Sequence, residues 1–157
     1  MSVHAVTPYA PVVVRADEAE HLPEIGHHLL ADASASNGAL SAHRIRLARG
    51  ADGATPHLHN HSSELFFIVD GTLDLLVGPD IVTARSGDFL VVPPLCHHAF
   101  RAGPDHTADA LVVITPGIER FAYPRQVAKI RRGEADRDSL LTEQDHYDTH
   151  FVSTHIW

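Results

Sequence analysis

The chain has 157 residues, 44% hydrophobic and 20% charged, with a formal net charge of −8 from 12 Lys plus Arg against 20 Asp plus Glu. That length suits one domain with a hydrophobic core of its own, and the acidic balance argues against nucleic acid or an anionic membrane as partner, because both need concentrated positive charge. One cysteine, Cys96, leaves no internal disulfide.

The opening Met1 Ser2 Val3 His4 Ala5 Val6 lacks the basic and apolar runs of a leader, and no stretch reaches the roughly 18 apolar residues of a membrane span. A cytoplasmic protein is expected. The 14 histidines stand out; imidazole ligates metals and titrates near neutrality, so they direct attention to a metal site.

In chain order, Pro11 to Arg15 reads as a short edge strand and Asp17 to Pro23 as an acidic connector. Gly26 to Ala33 and Leu40 to Ala48 flank Ser34 Ala35 Ser36 Asn37 Gly38, and Asn-Gly between two such runs predicts a hairpin because both residues tolerate positive φ. In the second strand Ser41, His43, Ile45 and Leu47 share one face and Ala42, Arg44, Arg46 and Ala48 the other; parity leaves open which faces inward.

Arg49 to Pro56 is turn-rich. Beyond it the pattern predicts strands at Glu64 to Val69, Thr72 to Val77, Ile81 to Ala84, Phe89 to Val92, His98 to Arg101 and Ala108 to Thr115. Tight turns are expected at Asp70-Gly71 and Gly78-Pro79-Asp80, and a break at Pro93-Pro94. Many short strands punctuated by Gly, Pro, Asn and Asp argue for an antiparallel sandwich or barrel.

From Ile118 to Arg132 the spacing turns helical, with Pro124 expected to kink or divide the helix. Its basic run, Arg125 to Arg132, reads as a solvated face. Asp136 to Tyr147 predicts a second short helix capped by Asp136 or Asp138, and the apolar tail Phe151 to Trp157 is expected to pack back on the barrel or on a second subunit. The layout is one domain over residues 1–157, with a β-barrel core at about 25–115 and a helical appendage and tail at about 117–157.

The chemistry concentrates between positions 53 and 71. Residues two apart on a strand point the same way, so His57 and His59 project together while Leu58 points away. Glu64 follows a turn and can bring a carboxylate to the same ion; a fourth donor must come from elsewhere. In the segment Gly87 to Phe100 a strand meets Pro93-Pro94 and then the pair His97 and His98, of which one can face inward. Opposite parity also makes a Cys96–His97 nucleophilic dyad improbable.

These two segments resemble the paired motifs of the cupin superfamily. The first motif, G(X)5HXH(X)3,4E(X)6G, is met by His57, His59, Glu64 and Gly71, with Ala51 where a leading glycine is expected. The second, G(X)5PXG(X)2H(X)3N, is met by Gly87, Pro93 and His98 and departs at Leu95 and Ala102. A shift to His59 and His61 would bring Gly53 into register but leaves the spacer to Glu64 too short.

The resemblance implies an all-β cupin barrel, a double-stranded β-helix of jelly-roll type, with a short C-terminal helical extension. It implies His57, His59, Glu64 and His98 as ligands of one divalent Fe, Mn, Ni, Co, Cu or Zn ion. Counting by parity from Glu64 and His98, Phe66, Ile68 and Phe100 are expected to face the cavity as candidate contacts of a small-molecule substrate.

His61 and His97 fall outside the site by parity. His27, His28, His106, His146, His150 and His155 lack partner spacing and are expected to be exposed or to pack. The preferred expectation is a quercetin dioxygenase-like enzyme in which Glu64 doubles as the base. The alternatives are a non-redox cyclase or isomerase of natural-product assembly and a non-enzymatic binding cupin. A homodimer is expected through the unpaired edge at Pro11 to Arg15.

Overall fold

The structure is a computed structural model and describes residues 10–157; Met1 to Val6, and the reading of them as no leader, lie outside that range. Along the chain run β1 (Glu20–Leu22), β2 (His27–Ala31), a 3-10 turn (Ala33–Ser36), β3 (Ser41–Leu47), β4 (His57–Leu58) and β5 (Ser63–Val77). Then come β6 (Asp80–Arg85), β7 (Phe89–Val92), β8 (His98–Ala102), β9 (Ala108–Thr115), α1 (Ala122–Arg131), α2 (Asp138–Leu141), α3 (Gln144–Tyr147) and β10 (His150–Phe151).

The strands make two antiparallel sheets facing each other. One has the order β1-β2-β3-β9-β5-β7, and the other β10-β4-β8-β5-β6. The shared strand β5 joins them. Its first half pairs with β7 and β9, its second half with β6 and β8. This is the all-β barrel of jelly-roll type that the motifs implied.

The expected turn at Asp70-Gly71 is corrected by β5, which runs unbroken for 15 residues. Gly71 takes φ 76°, beside a register shift between Ile68 and Asp70. The chain bends from one sheet into the other and does not reverse. A Cβ at Gly71 would collide with the Thr107 carbonyl, so glycine is required there for space as well as for φ.

The hairpin at Asn37-Gly38 forms as expected, with φ of 52° and 81°. The open parity question in β3 is decided by packing: Ser41, Ile45 and Leu47 are buried with His43 on their face. Arg44 on the other face makes a two-pronged pair with Asp109, at 2.6 Å for each contact. The barrel interior is filled by Ile45, Phe66, Ile68, Leu73, Leu75 and Val112, all fully buried. Each contributes about 1.5–3 kcal/mol by leaving water.

Three further expectations are corrected. Pro11 to Arg15 forms no strand and stays exposed, with Val13 64% accessible, while β1 lies inside the stretch read as a connector. The homodimer argued from that edge loses its footing there. The exposed apolar side chains Phe67, Val69, Phe89 and Val91 stand instead on the outer face of β5 and β7. Pro124 is the third residue of α1, inside the first turn, where amides have no intrahelical partner, so it neither kinks nor divides the helix.

The expected second helix is two, α2 and α3, separated by Thr142 and Glu143; Asp136 still accepts from the Asp138 amide at 3.0 Å. The tail does pack back: β10 pairs with β4, and the Arg101 guanidinium lies over the Trp157 ring at 4.1 Å. Among the described residues, no helix is long and apolar enough to cross a membrane.

Candidate metal centre

His57 opens β4, His59 follows it, Glu64 sits near the start of β5 and His98 opens β8. His57 and His98 are register partners. All four side chains are buried and offer donor atoms within 4.8 Å of one another. The Nε2 atoms of His98, His59 and His57 lie 2.6, 2.9 and 3.9 Å from Glu64 Oε2. His61 is exposed and lies outside this cluster, so the shifted register through His59 and His61 does not assemble it.

The ring orientations are held from behind. His57 Nδ1 bonds the Thr55 carbonyl at 2.7 Å, His59 Nδ1 the Asp148 carbonyl at 2.6 Å and His98 Nδ1 the Cys96 carbonyl at 3.0 Å. A carbonyl oxygen only accepts, so each Nδ1 carries its proton. In the neutral ring each Nε2 then presents a lone pair to the centre. Lone pairs and a carboxylate oxygen at such distances repel unless a cation lies among them.

That cation is a proton or a metal. Burial works against charge at His98, yet the Glu64 carboxylate outweighs it and holds the imidazole above its ordinary pKa. Burial also opposes ionisation of Glu64, but His98 and His59 carry it well below the carboxylate range. Burial, His98 and His59 push His57 far down. Three oriented neutral imidazoles and one carboxylate suit a first-row divalent ion, whose ligands at about 2.1 Å stand no more than about 4.2 Å apart.

The motif departures have local answers. Leu95, where glycine is expected, takes φ 69° and is exposed. Its amide donates to the His59 carbonyl at 2.7 Å, tying the second motif's turn to the first motif's ligand. The leading glycine missing at Ala51 is replaced one residue earlier by Gly50, with φ 66°.

Five side chains that the spacing did not single out surround this cluster. Asp148, in the turn after α3, accepts from the Asn60 amide at 2.7 Å and the His61 amide at 2.9 Å, while its own carbonyl holds His59. A cavity of about 50 Å³ beside the cluster is lined by His57 and Glu64 together with His27, His43, Arg120 and Tyr123. The His27 and His43 rings stack at 4.9 Å. His43 was visible in the sequence as a residue on the Ile45 face. Nothing in the spacing marked Arg120, Tyr123 or Asp148. Phe100 lines the cavity, whereas Phe66 and Ile68 lie outside its lining and in the core.

Burial, with the positive charge of Arg120 adding to it, pushes His27 down to about 4 against the pull of the Ile25 carbonyl. Unfolded His27 titrates near 6.5, so below that pH the unfolded chain binds more protons and stability falls until the folded value is passed. The expected result is an unfolding free energy from urea titration lower at pH 5 than at pH 7.5, by up to about 2 kcal/mol from this residue. The drop should shrink in His27→Asn; an equal drop in both proteins would refute the assignment.

The cupin domain model matches residues 43–114, the span from β3 through β9 that holds all four cluster residues. No curated protein sequence matches the chain. Among solved structures, an RmlC-like cupin from Shewanella frigidimarina is 22% identical with a TM-score of 0.58, over 69% of this chain and 93% of its own. The Streptomyces nucleoside dehydratase Pac13, also seen with uridine, is 16% identical with a TM-score of 0.55, over 68% and 83%. A cupin-like protein from Thermotoga maritima is 16% identical with a TM-score of 0.53, over 57% and 67%. Sequence motifs and domain match agree over residues 43–114, which form a cupin domain, and the solved structures share its barrel fold.

Proposed function

We propose that this protein is a metal-dependent cupin enzyme acting on a small organic molecule, and that its chemistry is that of a quercetinase-like dioxygenase. The observation that carries the reading is the convergence of three Nδ1-anchored imidazoles and Glu64 beside a cavity lined by His57 and Glu64 themselves. A divalent ion held by His57, His59, Glu64 and His98 would polarise a chelating substrate and bring it together with dioxygen.

The protein's own part is to bind and orient the substrate and to move its proton. Glu64 is ionised at neutral pH, so its carboxylate can accept the enolic proton of a bound substrate. Phe100, in the cavity wall, excludes water on one side. The test is oxygen uptake with flavonols or β-diketones, repeated on protein loaded in turn with each divalent metal. Uptake with at least one metal, lost in Glu64→Gln, is expected; no uptake with any metal would sink the dioxygenase reading.

A non-redox cyclase or isomerase is the second reading, and the cavity favours it in one respect. His27, His43 and Tyr123 place three proton-carrying groups around the space beside the cluster. Turnover of a polyketide-like substrate by zinc-loaded protein under anaerobic conditions would select this reading over the first.

A further inference from the structure

Arg120 is 8% exposed, and its Nη1 is buried without a hydrogen-bond partner among the described residues. Its Nη2 has only a long contact of 3.5 Å to Thr149 Oγ1. The nearby carboxylate of Asp32 is already committed to backbone amides, those of Ala33 at 3.0 Å, Arg120 at 2.8 Å and Phe121 at 2.9 Å. These bonds hold the Arg120 backbone in place and leave its guanidinium without a carboxylate partner among the described residues, with the Tyr123 ring 5.5 Å away as its cation–π neighbour.

A buried cation without an anionic partner is costly, so an anion entering this cavity gains from pairing with it. The other charged groups facing this space do not serve. Glu64 is taken up by His59 and His98, and His27 and His43 carry no negative charge.

We propose that Arg120 is the anchor for a carboxylate of the substrate, so that the substrate class is a small organic acid with an apolar body. The guanidinium lines the same small cavity as His57 and Glu64, where a planar carboxylate can meet its two-pronged edge. That cavity shares His27, Ala54, Phe100, Tyr123 and Pro124 with a larger one of about 840 Å³. The larger space lies between the barrel mouth and the C-terminal extension, with Val127, Ile130, Leu140, Phe151, Val152 and Trp157 in its wall. It has the volume of a small-molecule site and a mainly apolar wall, with Arg101, Arg131 and Arg137 and the carboxylates Asp52 and Asp138 also on it.

The acid head therefore binds at Arg120, the reacting carbons lie next to the metal cluster and the apolar body fills the outer cavity. The placement of the reacting carbons rests on the metal-centre reading; the anion site rests on Arg120.

The experiment compares cinnamate with its neutral isostere cinnamamide, binding to the purified full-length protein followed by calorimetry and by the fluorescence of Trp157, the single tryptophan. Metal content is measured on the same samples. Cinnamate is expected to bind about tenfold or more tightly than the amide, as a charge-assisted bond implies. The preference should vanish in Arg120→Met with metal content unchanged and return in part in Arg120→Lys.

Equal binding of acid and amide, no binding of either, or an acid preference that survives in Arg120→Met overturns the proposal. Tighter binding of inorganic phosphate than of cinnamate overturns the carboxylate assignment. If Arg120→Met does not fold, the wild-type comparison and Arg120→Lys decide. An acid preference that depends on Arg120 in a protein that binds no metal would sink the metal reading and leave the anion site standing.

Discussion

Glu64→Gln is expected to leave a folded protein without its metal. The substitution keeps shape and one acceptor oxygen but removes the single negative ligand from a cluster of three neutral imidazoles. Loss of outer partners alone costs metal sites about 10–100-fold in affinity, and loss of a charged ligand is expected to exceed that range. Elemental analysis of purified protein should show about one divalent ion per chain in the wild type and almost none in Glu64→Gln or His57→Ala. His61→Ala, at the neighbouring exposed position, should retain the wild-type content. Full metal in both Glu64→Gln and His57→Ala would show the ion to be held elsewhere.

Asp148→Ala is expected to weaken stability and metal affinity together. Its carboxylate takes the amides of Asn60 and His61, and both amides lie in the turn between His59 and Glu64. Removing an acceptor from partly buried amides costs about 1–3 kcal/mol per group, and because the two share one loop a total of about 3 kcal/mol is expected. The ligand loop would loosen behind His59, with an affinity loss of about 10–100-fold. Asp148→Asn keeps one acceptor oxygen and tolerates the positive φ of 47°, so it should fall between wild type and Ala.

The pH dependence separates this clamp from a nonspecific effect. Burial opposes ionisation of Asp148, but the Asn60 and His61 amides outweigh it and hold the carboxyl below its ordinary value. Its stabilisation is therefore complete above the unfolded carboxyl pKa and is lost only as pH falls through the lower folded value. Between pH 5 and 8 the carboxylate stays ionised and keeps both amides, so the deficit of Asp148→Ala in urea unfolding should persist across that range. A deficit that disappears within that window would refute the clamp.

The buried cluster was legible because two short-range rules act on it. Strand parity puts His57 and His59 on one side, and the motif spacing joins Glu64 and His98 to them. The bend at Gly71 reads as a turn in the sequence because a glycine with positive φ permits either outcome; contact with Thr107, a partner 36 residues away in sequence, decides for the bend. The effect of Pro124 depends on where the helix begins, which the sequence leaves open, and the helix begins two residues before it. Pro11 to Arg15 has strand composition but no partner strand, and a strand without a ladder is only an exposed segment.

The sequence by itself determined the barrel, its alternating strands and the four residues around one centre, because periodicity and motif spacing are local properties. Only the tertiary structure decided the surroundings of that centre. The face of β3 that carries His43 turns inward through packing, Asp148 reaches the loop between His59 and Glu64 across 88 residues, and Arg120 arrives from beyond β9 with its Nη1 unpartnered among the described residues. These are contacts between segments far apart in the chain, fixed by which surfaces exclude water together, and no spacing rule along one segment encodes them.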